Sequence, residues 1–214
     1  MDATLFGLFA LAYSSVLLWG IIKHTKTASV ILFVVVLSLI YDNVVLAFGN
    51  VMGEGTLLKG LTYGRFWMHA LFTPTLILFS YFILKEAKLP IAYKKWTKTL
   101  FVLLTVTAIM MEIILNTIGL HFEIQKEYGV LSYTSTEHTA PVMIILVTGA
   151  LLFTAITLGW KRKWWWMLVG VIIMSIGSVL PLEIGSNALT NVLELFLICM
   201  LMLTAIKYSS ESKK

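Results

Sequence analysis

Asp42 and Asn43 stand side by side inside the otherwise apolar run "SLIYDNVVLAFGN", residues 38–50. An ionisable side chain in such surroundings needs a partner or a purpose. The run "GRFWMHALFTP" offers candidates for both, because Arg65 and His69 lie four residues apart and share one helix face. Glu112 and Asn116 in "MEIILNTIGLH" repeat that spacing. Asn187, Asn191 and Glu194 fall at i, i+4 and i+7, a single helical stripe. Glu183 in "LPLEIGSN", and Glu137 with His138 in "TEHTAPV", add polar groups near the ends of apolar runs.

These residue types define the chemistry open to the chain. Carboxyls set together in apolar surroundings share protons, so one can act as an acid while another accepts. Asp42, His69, Glu112 and Glu194 form the candidate reactive set on that basis. Arg65 suits a phosphate or carboxylate head group. Asn43, Asn116, His138, Glu183, Asn187 and Asn191 are expected to bind and orient the substrate. His69, His138 and Glu112 could instead hold a divalent metal that activates water, although no HExxH or other compact ligand pair is present. Haem ligation through His69 and His138 is a further option. Ser38 and Cys199 have no neighbouring base in sequence, which argues against a covalent acyl-enzyme.

The elements that must position these groups are membrane spans. Of 214 residues, 59% are hydrophobic and 13% charged, a composition far outside the soluble range. Seven segments, at about 3–22, 28–49, 65–84, 98–120, 139–160, 164–182 and 187–207, are long enough to cross ~30 Å of hydrocarbon at ~1.5 Å per residue. The sequence thus predicts an all-α polytopic membrane protein, residues 1–214 forming one seven-transmembrane-helix bundle. The first segment lacks the basic flank of a cleavable signal and is expected to remain as a span. All but three of the 16 basic residues fall on one side of the alternating spans, the exceptions being Lys59, Arg65 and Lys126. The amino terminus is therefore expected outside and the carboxyl terminus in the cytoplasm, the compact chain suiting a bacterial plasma membrane. The net charge of +5 is then a topology signal directed at membrane lipids, not nucleic acid. "KRKWWW" at 161–166 reads as an interfacial anchor.

With that topology, the ionisable residues within the spans collect in the outer half, which points to a polar cavity opening from the outer leaflet. Pro74 should kink the third span beside it. The loop "HFEIQKEYG", with His121, Glu123 and Glu127, is expected to be solvated.

The chain resembles the small integral-membrane terpene cyclases in size and helix count. That family has one acid in the second helix and another in the seventh, which Asp42 in "IYDNVV" and Glu194 in "NVLELF" would match. Its second-helix tryptophan–glutamate pair is absent. The resemblance implies protonation chemistry on an isoprenoid. Retinal is excluded as a cofactor, since the last span offers only Lys207, at its inner end, where microbial rhodopsins need a lysine at mid-helix. The leading expectation is an intramembrane enzyme acting on a lipid-like or isoprenoid substrate. The alternative from another class is a transporter or sensor for a small molecule or ion, with an outward-facing pocket. A purely structural ion pair between Asp42 and Arg65 is the remaining reading of that pair.

Overall fold

Apolar runs ending at Gly, Pro or charged residues fold here into helices that stop at those breaks. The computed structural model describes residues 2–23, 26–135, 141–179, 186 and 188–211. Its helices are α1 (Asp2–Ile22), α2 (Thr27–Met52), α3 (Thr56–Phe72), α4 (Leu76–Glu86), α5 (Lys95–Asn116), α6 (Val142–Arg162), α7 (Trp166–Val179) and α8 (Leu189–Glu211). Pro74 removes a helical hydrogen bond, and a 3-10 turn at Thr73–Thr75 absorbs the break. The turn joins α3 and α4 into one span, Thr56–Glu86, of 31 residues.

The third span thus begins nine residues before the position expected from hydropathy. Residues 56–64 include Lys59, Thr62 and two glycines, which hide the helix from a hydropathy count. Thr62 keeps its hydroxyl satisfied by donating to the Leu58 carbonyl, 2.9 Å away.

Among the described residues six helices, counting α3–α4 as one, are long and apolar enough to cross a membrane. By length and composition the chain is an integral membrane protein. Its outer surface agrees, for Leu11, Ile145 and Trp160 are each about two-thirds exposed. An apolar belt of that extent would drive a soluble protein to aggregate. The described part of α7 has 14 residues, about 21 Å, which falls short of a ~30 Å crossing.

α4 is the central helix, touching α2, α5, α6 and α8. Its Ile77, Phe79, Ile83 and Leu84 are fully buried, beside Tyr13, Leu32, Leu158 and Leu201. One end of the bundle is fastened by polar contacts between helices. Glu86 accepts a hydrogen bond from the Ala28 backbone at 3.1 Å, capping α2 from another helix. Arg162 donates to the carbonyls of Ala87 and Lys88 just past α4. Trp164 Nε1 donates to Thr204 Oγ1 at 2.9 Å, and the Lys207 ammonium sits 4.3 Å above the Trp164 ring.

At the opposite end lies a feature that corrects the sequence reading. Residues expected as a solvated loop form an antiparallel hairpin, β1 (Phe122–Glu127) and β2 (Val130–Ser135). The membrane body is all-α, but its cap is not. Tyr128 and Gly129 make the turn at φ 50° and 79°. Two residues at positive φ give the twist that a two-residue hairpin turn requires. Pairing Gln125 with Ser132, and Glu123 with Thr134, sets one face polar. The other face carries Leu131, which packs on Val45 and Leu58, and Phe122, whose ring meets Tyr63 edge-on at 4.7 Å.

Docking of the hairpin depends on Gly49. A Cβ there would be driven into the Leu131 carbonyl oxygen, so only glycine lets α2 and β2 approach this closely. Asn50 Nδ2 donates to Gly129 O at 2.5 Å, the Asp2 amide donates to Tyr128 O at 3.2 Å, and Lys126 pairs with Glu54 at 2.7 Å.

Candidate functional site beneath the hairpin

Two cavities of about 350 and 320 Å³ lie under the hairpin and share Asp42, Arg65 and Phe66 in their walls. The first extends toward Phe6, Asn191 and the polar hairpin face of Gln125, Glu127, Ser132 and Thr134. The second holds His69, Glu112, Asn116 and Ser135. Polar groups from α2, α3, α5 and α8, far apart in sequence, therefore meet in one region at the end of the bundle.

Between the cavities, Arg65 Nε donates to Asp42 Oδ1 at 2.7 Å. The two side chains are 16% and 32% exposed, so neither is sealed away from the chamber. An isolated aspartate in hydrocarbon would be costly, and the guanidinium removes that penalty while its remaining N–H groups stay available as donors.

Glu112 is nearly buried and is aimed by its own helix. One turn on, Asn116 Nδ2 donates to Glu112 Oε2 at 2.9 Å. His69 is held similarly, with Thr73 Oγ1 and Nδ1 3.2 Å apart in the turn opened by Pro74. His69 keeps exposed surface, because it forms part of the chamber wall. Among the described residues, neither Glu112 nor Glu194 has a cationic partner within ion-pair distance.

Glu194 lines neither cavity; it lies about one helical turn beyond Asn191, which lines the first. The fully buried Tyr13 hydroxyl lies 3.4 Å both from Glu194 Oε2 and from the Asn191 carbonyl, at the long end for a hydrogen bond. Asp42 is close enough to Glu194 for their charges to interact.

No known family, curated protein or solved structure matches this chain.

Of the residues singled out by sequence, Asp42, Arg65, His69, Glu112, Asn116 and Asn191 line the chamber. Asn43 is not among the lining residues. One position beyond Asp42 the helix has turned about 100°, which sends Asn43 into the core. There it is wholly buried, its amide donates to Leu39 O at 2.9 Å, and its Oδ1 has no partner among the described residues. His138, Glu183 and Asn187 fall outside the described residues. Among the described residues no three His, Cys, Asp or Glu side chains converge as a metal-binding group, and the trio His69, Glu112 and His138 includes one residue outside them.

The sequence reading missed the hairpin's contribution and that of Tyr13. Glu127 is exposed, as expected, and also stands in the chamber wall with Gln125. The available signal was the alternation of Phe122, Ile124 with Glu123, Gln125, and of Leu131, Tyr133 with Ser132, Thr134, a period of two.

Proposed function

We propose that the protein is an intramembrane enzyme that performs acid–base chemistry on a lipid-like or isoprenoid substrate. The observation that carries this reading is the second cavity, where a carboxyl and an imidazole, each oriented by a hydrogen-bonding neighbour, face the same space as a guanidinium. Arg65, steadied by Asp42, holds the polar or anionic end of the substrate. Glu112 and His69 exchange a proton with the reacting atoms. That assignment makes Asp42 a positioning residue and leaves Glu194, whose charge interacts with that of Asp42, to tune the local field. Proton transfer by positioned side chains contributes about 10²–10⁴-fold to a rate. The two acids Asp42 and Glu194, whose charges interact, are also the pair on which the resemblance to membrane terpene cyclases rests.

The same proposal includes seven spans, with α7 completing the set, an outside amino terminus and a cytoplasmic carboxyl terminus. The support is the segregation of Lys23, Lys26, Lys85, Lys88, Lys94, Lys95 and Lys98 to the end of the bundle away from the hairpin. A bacterial plasma membrane is the setting this charge bias suits.

The test is turnover. Purified protein in lipid vesicles is incubated with a total membrane lipid extract, and the lipids are compared by mass spectrometry with those from Glu112→Gln and His69→Gln. A lipid species that disappears with wild type and persists with both variants supports the proposal. Identical profiles from all three proteins refute it. A transporter or sensor would instead bind a species through the same side chains and return it unchanged.

A further inference from the structure

The first cavity contains groups that the acid–base reading leaves without a task. Gln125 and Ser132, cross-strand partners in the hairpin, line it together with Thr134, and Asn191 of α8 joins them. Residues two apart on a strand are separated by about 7 Å and adjacent strands by about 4.8 Å, so the hairpin sets its polar groups on a fixed, narrow grid. Among the described residues, none of these four side chains makes a hydrogen bond within the protein. Gln125, Ser132 and Asn191 are nevertheless only partly exposed. Two amides and two hydroxyls are thus uncommitted to the fold and line a common space of about 350 Å³, within the range of about 300–1,000 Å³ usual for small-molecule sites.

The chemistry of this wall selects its occupant. Amide and hydroxyl groups both donate and accept hydrogen bonds, so the matching ligand must do both. The charged groups in the wall are two carboxylates, Asp42 and Glu127, and one guanidinium, Arg65, which is already paired with Asp42. An anion would face a wall of net negative charge. An ammonium group donates without accepting, so it would leave the amide N–H groups unanswered and would meet Arg65. Phe6, Phe66 and Tyr133 add aromatic carbon to the same wall, which suits the C–H surface of a sugar ring. We infer that the first cavity binds a neutral, hydroxyl-rich group, a sugar or polyol, through Gln125, Ser132, Thr134 and Asn191. The inference rests on the reading of the chamber as a substrate site and names the polar end of that substrate. A free saccharide and the head of a glycolipid both present such a group, and the experiment separates the two.

The full chain in phosphatidylcholine nanodiscs is offered methyl glucoside, tetramethylammonium or methyl phosphate, and contact is read by saturation-transfer NMR. Methyl glucoside should receive saturation and the two ions should not. Gln125→Met and Asn191→Leu keep side-chain size while removing the hydrogen-bonding groups. Each should weaken binding about fivefold, with the melting temperature unchanged because no bond within the protein is lost. Ser132→Ala gives the same reading should either larger replacement disturb the fold. In a second arm, native mass spectrometry compares retention of monoglucosyl diacylglycerol and diacylglycerol offered in equal amounts. Preference for the glucolipid without saturation of methyl glucoside supports the site and assigns it a lipid head group. Saturation of methyl glucoside without that preference supports the site and assigns it a free saccharide. Binding of neither sugar, stronger transfer to either ion, or undiminished binding in all three variants overturns the inference. Neither arm reads turnover, so sugar binding without lipid conversion sinks only the enzyme reading, and conversion without sugar binding sinks only this one.

Discussion

Replacing Gly49 with alanine should weaken the docking of the hairpin on the bundle. The added Cβ collides with the Leu131 carbonyl oxygen, and backbone on both sides leaves no flexible side chain to yield. The strand must retreat by about 1 Å or more before ordinary contact is restored. Overpacking of this kind costs about 1–3 kcal/mol. Opposing that strain are Leu131 and Val130, 4% and 7% exposed, and the Asn50–Gly129 hydrogen bond. Burial of the two side chains is worth roughly 1.5–3 kcal/mol each, and the hydrogen bond roughly 1 kcal/mol. The docked arrangement should therefore survive as the majority state, weakened by about 2 kcal/mol. That corresponds to a rise of roughly 30-fold in the undocked population. The readout is maleimide labelling of Val130→Cys in a Cys199→Ala background. Val130 packs on Phe6 and Ala188 under the docked hairpin, so a thiol there reacts only when the hairpin leaves. Adding Gly49→Ala should speed labelling by about that factor, with far-UV circular dichroism unchanged. An unaltered labelling rate would refute both the close approach at Gly49 and the role of the hairpin as the chamber's roof.

The remaining expectations concern the polar contacts between helices. Asp42→Asn leaves Arg65 without its counter-charge and should destabilise by about 2–3 kcal/mol, less than the loss from a sealed pair because Asp42 is a third exposed. Part of that loss should return in Asp42→Asn/Arg65→Gln, read as melting temperature in detergent. Glu86→Ala removes the acceptor at the start of α2 and should destabilise by about 1 kcal/mol, with faster amide exchange confined to the first turn of that helix. Trp164→Phe leaves Thr204 Oγ1 without its donor and should cost about 1 kcal/mol in the same melting assay.

Hydropathy identified the spans because α1, α2, α5, α6 and α8 are apolar over nearly their whole lengths. It misjudged the start of the third, where Lys59, Gly60 and Gly64 dilute a helix that tertiary packing sustains, with Leu58 and Thr62 buried. Periodicity placed Arg65 with His69 and Glu112 with Asn116 correctly, since a four-residue interval fixes a face whatever the tertiary structure. It could not say which face of α2 looks inward, and so Asn43 was grouped with Asp42. The hairpin escaped because Tyr128–Gly129 is not a typical Asn-Gly turn. Tyr13 was overlooked for a different reason: an aromatic ring in an apolar helix gives no sequence sign that its hydroxyl reaches a carboxylate from the opposite end of the chain.

The cap on α2 bears on how the protein is made. Its acceptor, Glu86, is encoded 58 residues after Ala28, so the newly synthesised helix enters the bilayer with that amide donor unmet. It is satisfied only when the third crossing has been threaded. The first cavity is completed later still, for its Asn191 arrives only with α8, the helix in which Tyr13 also meets Glu194, 181 residues on. Ribosome-bound chains that stop before α8 should hold the walls of the second cavity in place while the first lacks its α8 side.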